Sequence, residues 1–147
     1  MTPYILRETI ISMAINTAFS LGFFLVVFGM APVIPMRGLG AYAFDFLPQS
    51  FAIALMSTVI PGAIAAKRVR SRAIPRWQKP GRLPRPLPLR AVVMAAIGLA
   101  VGGVVCAALL ALGPVAIGWW PALVAKLAYG GVLAGVVTPP ALRAAMR

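Results

Sequence analysis

Four long apolar runs alternate with shorter polar or proline-rich stretches along the chain. The runs cover about residues 9–30, 46–66, 89–112 and 121–138. An α-helix rises about 1.5 Å per residue, so about 20 residues cross the roughly 30 Å hydrocarbon core of a bilayer. The pattern therefore predicts an all-α fold, an integral membrane four-helix bundle of two transmembrane hairpins, with residues 1–147 forming a single transmembrane domain.

Proline, glycine and acidic positions set the expected ends of these helices. Asp45 directly precedes the second run and is the expected N-cap. Gly113-Pro114 ends the third run, and Pro139-Pro140 is expected to end the fourth at Thr138, since proline inside a helix removes a backbone hydrogen bond. Pro61 lies inside the second run, where we expect a kink.

Basic residues are concentrated in one part of the chain. Nine of the fourteen lie between Lys67 and Arg90. With a cytoplasmic amino terminus, twelve basic residues fall on the cytoplasmic side and only Arg37 and Lys126 on the other. Because Lys and Arg are retained in cytoplasmic segments, both termini and the basic segment are predicted to be cytoplasmic. Lys126 lies about one turn inside the fourth helix, and its ammonium is expected to snorkel outward.

The composition is that of a membrane protein, and it restricts the chemistry. Hydrophobic residues make up 61% of the chain and the mean hydropathy is +0.94, outside the range of soluble domains. There is no histidine, the only acids are Glu8 and Asp45, and the single cysteine, Cys106, lies in an apolar run. Paired catalytic carboxylates, zinc clusters and Ser-His-Asp arrangements cannot be assembled within one such chain. We therefore expect no enzymatic activity, no cofactor and no metal site.

The central basic segment, residues 67–90, is the main candidate for an interaction surface. Its prolines exclude a continuous helix and favour an extended chain. Basic side chains near a bilayer attract anionic lipid headgroups, although the alternative is that they only fix the topology. Nucleic acid is not an expected partner, because a single aromatic is interleaved with the charges. The candidate lipid-facing residues are Lys67, Arg68, Arg70, Arg72, Arg76, Trp77, Lys79, Arg82, Arg85 and Arg90.

A polar stripe at four-residue spacing marks the first run, at Glu8, Ser12, Asn16 and Ser20. This spacing places the four residues on one helix face. The face should turn towards protein or water, because an unpaired amide facing lipid is costly. We interpret the stripe as interhelical hydrogen bonding, with Ser57 and Thr58 as natural partners. The alternative is a polar track for a substrate or ion.

Pairs of glycines mark a second kind of packing face. Gly98 and Gly102 form one GxxxG pattern on the third run, and Gly131 and Gly135 form another on the fourth. Such spacing lets helix backbones approach closely in lipid. We expect the third and fourth helices to pack together as a tight hairpin, with a dimer seam as the alternative use of these glycines.

The two halves of the chain show a weak internal sequence repeat. Arg7 leads into ETIISMAI and Arg90 into AVVMAAI, and the second helix of each half carries proline near its end, in STVIPGAIAAKR and AGVVTPPALRAAMR. Both hairpins enter from the same side, so a duplication would be parallel, with an axis along the membrane normal.

The passage FDFLPQSFAIALMSTVIPGAIAAKR, with its aromatic and proline-marked entry and its basic end, resembles an uncharacterised bacterial inner-membrane helical-hairpin family of unknown function. The resemblance covers mainly residues 10–70. It implies a membrane hairpin and carries no activity, partner or site residue to this chain.

These observations predict a small multi-pass protein of the bacterial inner membrane. The leading interpretation is a non-enzymatic accessory or structural component that acts through lipid and protein contacts, alone, as a homo-oligomer or in a larger membrane complex. The alternative is a small transporter or channel in which Ser12, Asn16 and Ser20 line the route.

Overall fold

The computed structural model describes residues 2–79 and 81–147. Its four helices are all long and apolar enough to cross a membrane, which confirms the all-α four-helix fold and supports a multi-pass membrane location. In chain order the elements are α1 (Pro3–Phe28), β1 (Val33–Pro35), α2 (Phe46–Arg70), α3 (Leu87–Leu112), β2 (Ala116–Gly118) and α4 (Trp119–Ala145).

The helices extend beyond their apolar runs at one end of the bundle. The first helix begins at Pro3 rather than near residue 9, and the hydroxyl of Thr2 accepts a hydrogen bond from the backbone N–H of Ile5 at 3.4 Å. α2 passes through Pro61 and continues to Arg70. An apolar run measures the segment that fits in lipid, whereas a helix continues into water as long as its backbone bonds are kept.

The predicted end of the fourth helix is wrong. α4 passes through Pro139-Pro140 and reaches Ala145 instead of ending at Thr138. The last turns are held by packing, because Leu142 and Met146 form a buried cluster with Ile5 of α1 and with α2. Tertiary packing here outweighs the cost of proline inside a helix, which is about 3 kcal/mol or more.

The helices pack in the order α1, α4, α2, α3, so that α2 and α4 lie in the middle. α1 packs on α4 and α3 packs on α2, whereas α3 and α4 hardly touch. The predicted tight hairpin of the third and fourth helices is therefore wrong. Exchanging α1 with α3 and α2 with α4 reverses this order but keeps every pair of neighbouring helices, which is the symmetry that a parallel duplication produces.

The glycines explain which helices come together. A Cβ added to Gly98 would lie 2.5 Å from the Cβ of Ala54, and one added to Gly102 would lie 2.6 Å from the carbonyl oxygen of Phe46. Both glycines of α3 therefore bring it onto α2. These glycines pack inside the chain, as expected, but against α2 rather than against α4.

On α4 the glycines face α1. A Cβ at Gly131 would lie 2.8 Å from Thr17 Oγ1, and one at Gly135 would lie 3.1 Å from Met13 Sδ. Gly130, which the GxxxG pattern does not include, is the most confined, because an added Cβ would overlap the hydroxyl of Ser20.

A short β-ribbon closes one end of the bundle. β1 and β2 pair antiparallel, with Ile34 opposite Ile117, a feature that the apolar runs did not predict. The indole Nε1 of Trp119 donates to the carbonyl of Gly29 at 2.8 Å, so the connection after α1 is tied to the start of α4.

Twelve of the fourteen basic residues lie at the opposite end, which we call the basic end: Arg7, the nine basic residues from Lys67 to Arg90, Arg143 and Arg147. Arg68 pairs with Glu8 there, and the backbone N–H of Trp77 donates to the carbonyl of Met146 at 2.9 Å. The start of α1, the end of α2, the connection to α3 and the end of α4 therefore meet at one pole of the molecule.

Candidate functional site: a buried polar network and a basic end

Polar side chains from α1, α2 and α4 form a chain of hydrogen bonds through the bundle. All of its members are buried. In a bilayer such groups must form their hydrogen bonds within the protein. This series of hydrogen bonds therefore helps to fix how the three helices pack together. We call it the polar network; it consists of Ser12, Asn16, Ser20, Asp45, Gln49, Ser57, Lys126 and Thr138.

The middle of the network joins three helices around Asn16. Its Nδ2 donates to Ser57 Oγ at 3.1 Å and to the carbonyl of Ser12 at 2.8 Å. Ser12 Oγ lies 3.3 Å from Ser57 Oγ and accepts from Thr138 Oγ1 at 2.8 Å. The polar stripe therefore faces inward and meets Ser57, one of its two expected partners.

Two residues of this region behave differently from the sequence-based expectation. Thr58 donates to the carbonyl of Ala54, four residues back in its own helix, at 2.7 Å. Thr138, the last residue of the fourth apolar run, donates to Ser12 and belongs to the network, a role that the sequence pattern does not predict. A threonine before two prolines carries no signal of its own, since its partner Ser12 lies 126 residues away.

The network continues from α1 to a buried ion pair. Ser20 Oγ donates to the carbonyl of Asn16 at 2.8 Å and accepts from Gln49 Nε2 at 2.9 Å. Gln49 Oε1 accepts from the ammonium of Lys126 at 2.9 Å, and that ammonium lies 2.6 Å from Asp45 Oδ2. Gln49 thus links the serine of α1 to the charged pair.

The prediction that Lys126 snorkels outward is wrong, because its side chain is 1% exposed and points into the bundle. Its ammonium lies 3.8 Å from the ring centroid of Phe46 and 5.2 Å from that of Tyr42, within the range of cation–π attraction. Asp45 lies at the N-cap position of α2, yet its side chain makes no capping bond. It serves instead as the counter-ion of Lys126.

Tyr42 supports this pair from the connection before α2. Its hydroxyl donates to the carbonyl of Ala122 at 2.8 Å. Burial and, to a smaller degree, the Asp45 carboxylate raise the pKa of Tyr42 above its ordinary value. The hydroxyl therefore stays protonated even at a pH of about 10, where an ordinary tyrosine ionises, and keeps its bond to α4.

A groove between α1 and α2 reaches the network from the side. Its volume is about 90 Å³, and Glu8, Ser12, Asn16, Met56 and Ile60 contribute to its lining. Asn16 Oδ1 is buried and has no hydrogen-bond partner among residues 2–79 and 81–147. At the basic end of the groove, Glu8 Oε1 accepts from Arg68 Nη1 at 3.3 Å.

The basic segment is divided between helices and the connection. Lys67, Arg68 and Arg70 belong to the last turn of α2. Trp77 is half-buried against the end of α4. The basic residues of the connection itself are all exposed: Arg72, Arg76, Lys79, Arg82 and Arg85.

Arg90 does not belong to a lipid-facing surface, and its assignment there is wrong. It lies in α3, is 1% exposed and donates from Nη1 to the carbonyls of Pro84 and Arg85 at 3.4 and 3.0 Å. The guanidinium thereby fixes the end of the connection, since those carbonyls precede α3 and have no helical partners.

The side chains of the polar network and the basic end are poorly suited to bind a metal ion. Among the described residues, no three side chains of His, Cys, Asp or Glu come together, and both carboxylates already face cations. No family model, curated protein or solved structure matches this chain. The resemblance of residues 10–70 to an inner-membrane hairpin family therefore stays a prediction.

Proposed function

We propose that this protein is a non-enzymatic accessory or structural component of the bacterial inner membrane, which gathers anionic lipids and partner proteins at its basic end. One observation carries the proposal. The two acids of the chain pair with Arg68 and Lys126, so eleven of the twelve basic residues at the basic end keep no carboxylate partner among the described residues.

Positive charge without carboxylate partners has two effects at a membrane. Each basic residue near an anionic surface contributes up to about 1 kcal/mol of attraction, which salt weakens. The concentration of basic residues at one end of the bundle also favours a cytoplasmic basic end with both termini inside, where the anionic leaflet is available. Lipid binding and topology thus share one physical cause.

The interior supports a structural role for the polar network. Hydrogen bonds join its side chains across α1, α2 and α4, and Asn16 Oδ1 is the one fully buried side-chain acceptor of the network without a partner among the described residues. Interhelical hydrogen bonds in membranes contribute about 0.6 to 2 kcal/mol each. The network therefore stabilises the bundle and fixes the register of its helices, which is a structural role. The apolar outer faces of α1 and α3 remain available for lipid, a second copy or a larger complex.

Lipid co-purification tests the proposal. We expect the protein, extracted from membranes of mixed lipids, to retain anionic lipids several-fold above their share in the membrane. The variant Arg70→Gln/Arg72→Gln/Arg76→Gln/Arg85→Gln removes exposed charge, leaves eight basic residues at the basic end and should lower this enrichment measurably. Mass spectrometry of the bound lipids provides the measurement.

The matched control, Ser71→Ala/Gln78→Ala, changes exposed residues of the same segment without changing the charge. It should behave like the wild type. Retained lipids that mirror the membrane composition in the wild-type protein would refute the proposal.

A transporter or channel is the second candidate, favoured by the unpaired Asn16 Oδ1 at the groove. Its test is solute or ion flux into proteoliposomes that carry the purified protein. Flux that disappears in Asn16→Leu but persists in Ile10→Leu, a change at an exposed position of α1 that does not line the groove, would establish transport in place of the accessory role.

A further inference from the structure

A cavity of about 270 Å³ lies at the basic end, between the connection that follows α2 and the last turns of α4. We call it the arginine pocket. Its lining includes Trp77, Arg82, Leu83, Pro140, Arg143 and Arg147. The pocket thus combines three guanidinium groups with an aromatic ring and apolar side chains.

Within the described part of the chain, neither acidic side chain balances this charge. Glu8 is engaged with Arg68, and Asp45 is engaged with Lys126, so the ion pairs found among residues 2–79 and 81–147 leave the pocket arginines without one. The Nε groups of Arg143 and Arg147 are buried and have no acceptor in this part of the chain. Buried donors without acceptors are costly, and more so when they are charged. An anion in the pocket would remove that cost.

The pocket is held in shape by its own residues. Arg147 donates from Nη1 to the carbonyl of Gly81 at 2.8 Å and from Nη2 to that of Leu83. The guanidinium carbon of Arg143 lies 5.7 Å from the ring centroid of Trp77. These contacts fasten the connection to α4, so a ligand meets a largely preformed site and less of its binding free energy is lost in ordering the protein.

We infer that the arginine pocket binds one phosphate group, that of an anionic phospholipid headgroup. The inference rests on the proposed function. To the diffuse electrostatic attraction of the basic end it adds one defined site that binds a single lipid. Guanidinium groups present planar, paired donors that match phosphate oxygens. Leu83 and Pro140 offer an apolar wall beside them, which suits the glycerol and upper acyl portion of a lipid better than a free phosphate ion.

Native mass spectrometry of the full-length protein in detergent tests the inference, with phosphatidylcholine and phosphatidylglycerol as probes. We expect the wild type to retain one phosphatidylglycerol under conditions that strip phosphatidylcholine. Arg143→Gln should weaken this binding about tenfold or more, because a charge-assisted hydrogen bond contributes about 1.5 to 3 kcal/mol. Arg76→Gln, an exposed arginine of the same connection that does not line this pocket, should change it less than about twofold.

Arg82→Gln is the second variant, because Arg82 lines the pocket yet is exposed and its replacement carries little risk for folding. Its effect should exceed that of Arg76→Gln, which keeps the inference testable even if Arg143→Gln unfolds. Equal losses in all three variants would overturn the pocket and leave the proposed function standing as diffuse attraction.

Two further outcomes separate the remaining explanations. A wild-type protein with no preference for phosphatidylglycerol would overturn the proposed function together with the pocket. A parallel series with inorganic phosphate alone distinguishes the source of the anion. Retention of inorganic phosphate that Arg143→Gln abolishes, without a retained lipid, would assign the pocket to a soluble phosphate and overturn the lipid assignment.

Discussion

Lys126→Met is expected to destabilise the protein by about 3 to 5 kcal/mol, the usual cost of breaking a buried ion pair by removing one partner. The ammonium lies 2.6 Å from Asp45 Oδ2, and both side chains are almost completely buried. Without it, the carboxylate remains in the bundle with no cation to stabilise its charge, and Gln49 loses its donor. The midpoint of thermal unfolding in detergent should fall sharply.

Two companion variants make this result specific to the pair. Asp45→Asn/Lys126→Met removes both charges and should recover much of the lost stability, because a buried pair replaced as a unit costs little. Arg37→Met removes an exposed cation, which donates to the carbonyl of Leu110, at the same end of the molecule, and should change stability little. A Lys126→Met protein as stable as the wild type would indicate that the ammonium lies in the interface, outside the bundle.

The second large effect is expected at the contact between α2 and α3. Gly102→Ala should destabilise the protein by about 1 to 3 kcal/mol, the typical cost of forcing an extra methyl group into a packed interface. The new Cβ would lie 2.6 Å from the carbonyl oxygen of Phe46 and 2.7 Å from Ser50 Oγ. A backbone carbonyl cannot rotate away like a flexible side chain, so the two helices must separate.

The adjacent glycine is the matched control. A Cβ at Gly103 meets nothing within 4 Å, and alanine is favoured over glycine in helices by about 1 kcal/mol. Gly103→Ala should therefore be neutral or slightly stabilising. Thermal unfolding of the two alanine variants in one detergent provides the comparison. Equal effects at Gly102 and Gly103 would show that α3 does not use this face to pack on α2.

The positions of the helices and the basic end could be predicted because both are local properties of the sequence. Hydropathy over about 20 residues decides which segments enter lipid. The ends of helices could not be predicted equally well. The last turns of α4 depend on Leu142 and Met146 packing against Ile5, which lies at the other end of the chain.

The candidate site was predictable only in part, and for a physical reason. The period of the polar stripe shows that Asn16 faces inward, yet it does not show which helix lies opposite. The partners Asp45 and Lys126 are 81 residues apart, and each had a satisfactory local interpretation as an N-cap or as a snorkelling lysine. Similarly, Arg90 belongs by sequence to the basic segment, although its side chain is almost completely buried and bonds to carbonyls of the connection.

Cysteine labelling in intact spheroplasts tests the central claim most directly, namely that the basic end of a membrane-spanning bundle faces the cytoplasm. In a Cys106→Ala background, Leu39→Cys places a thiol at the ribbon end, where Leu39 is 97% exposed, and Gln78→Cys places one in the exposed basic connection. A membrane-impermeant maleimide should label position 39 in intact spheroplasts and position 78 only after lysis. Labelling of position 78 before lysis would contradict the account.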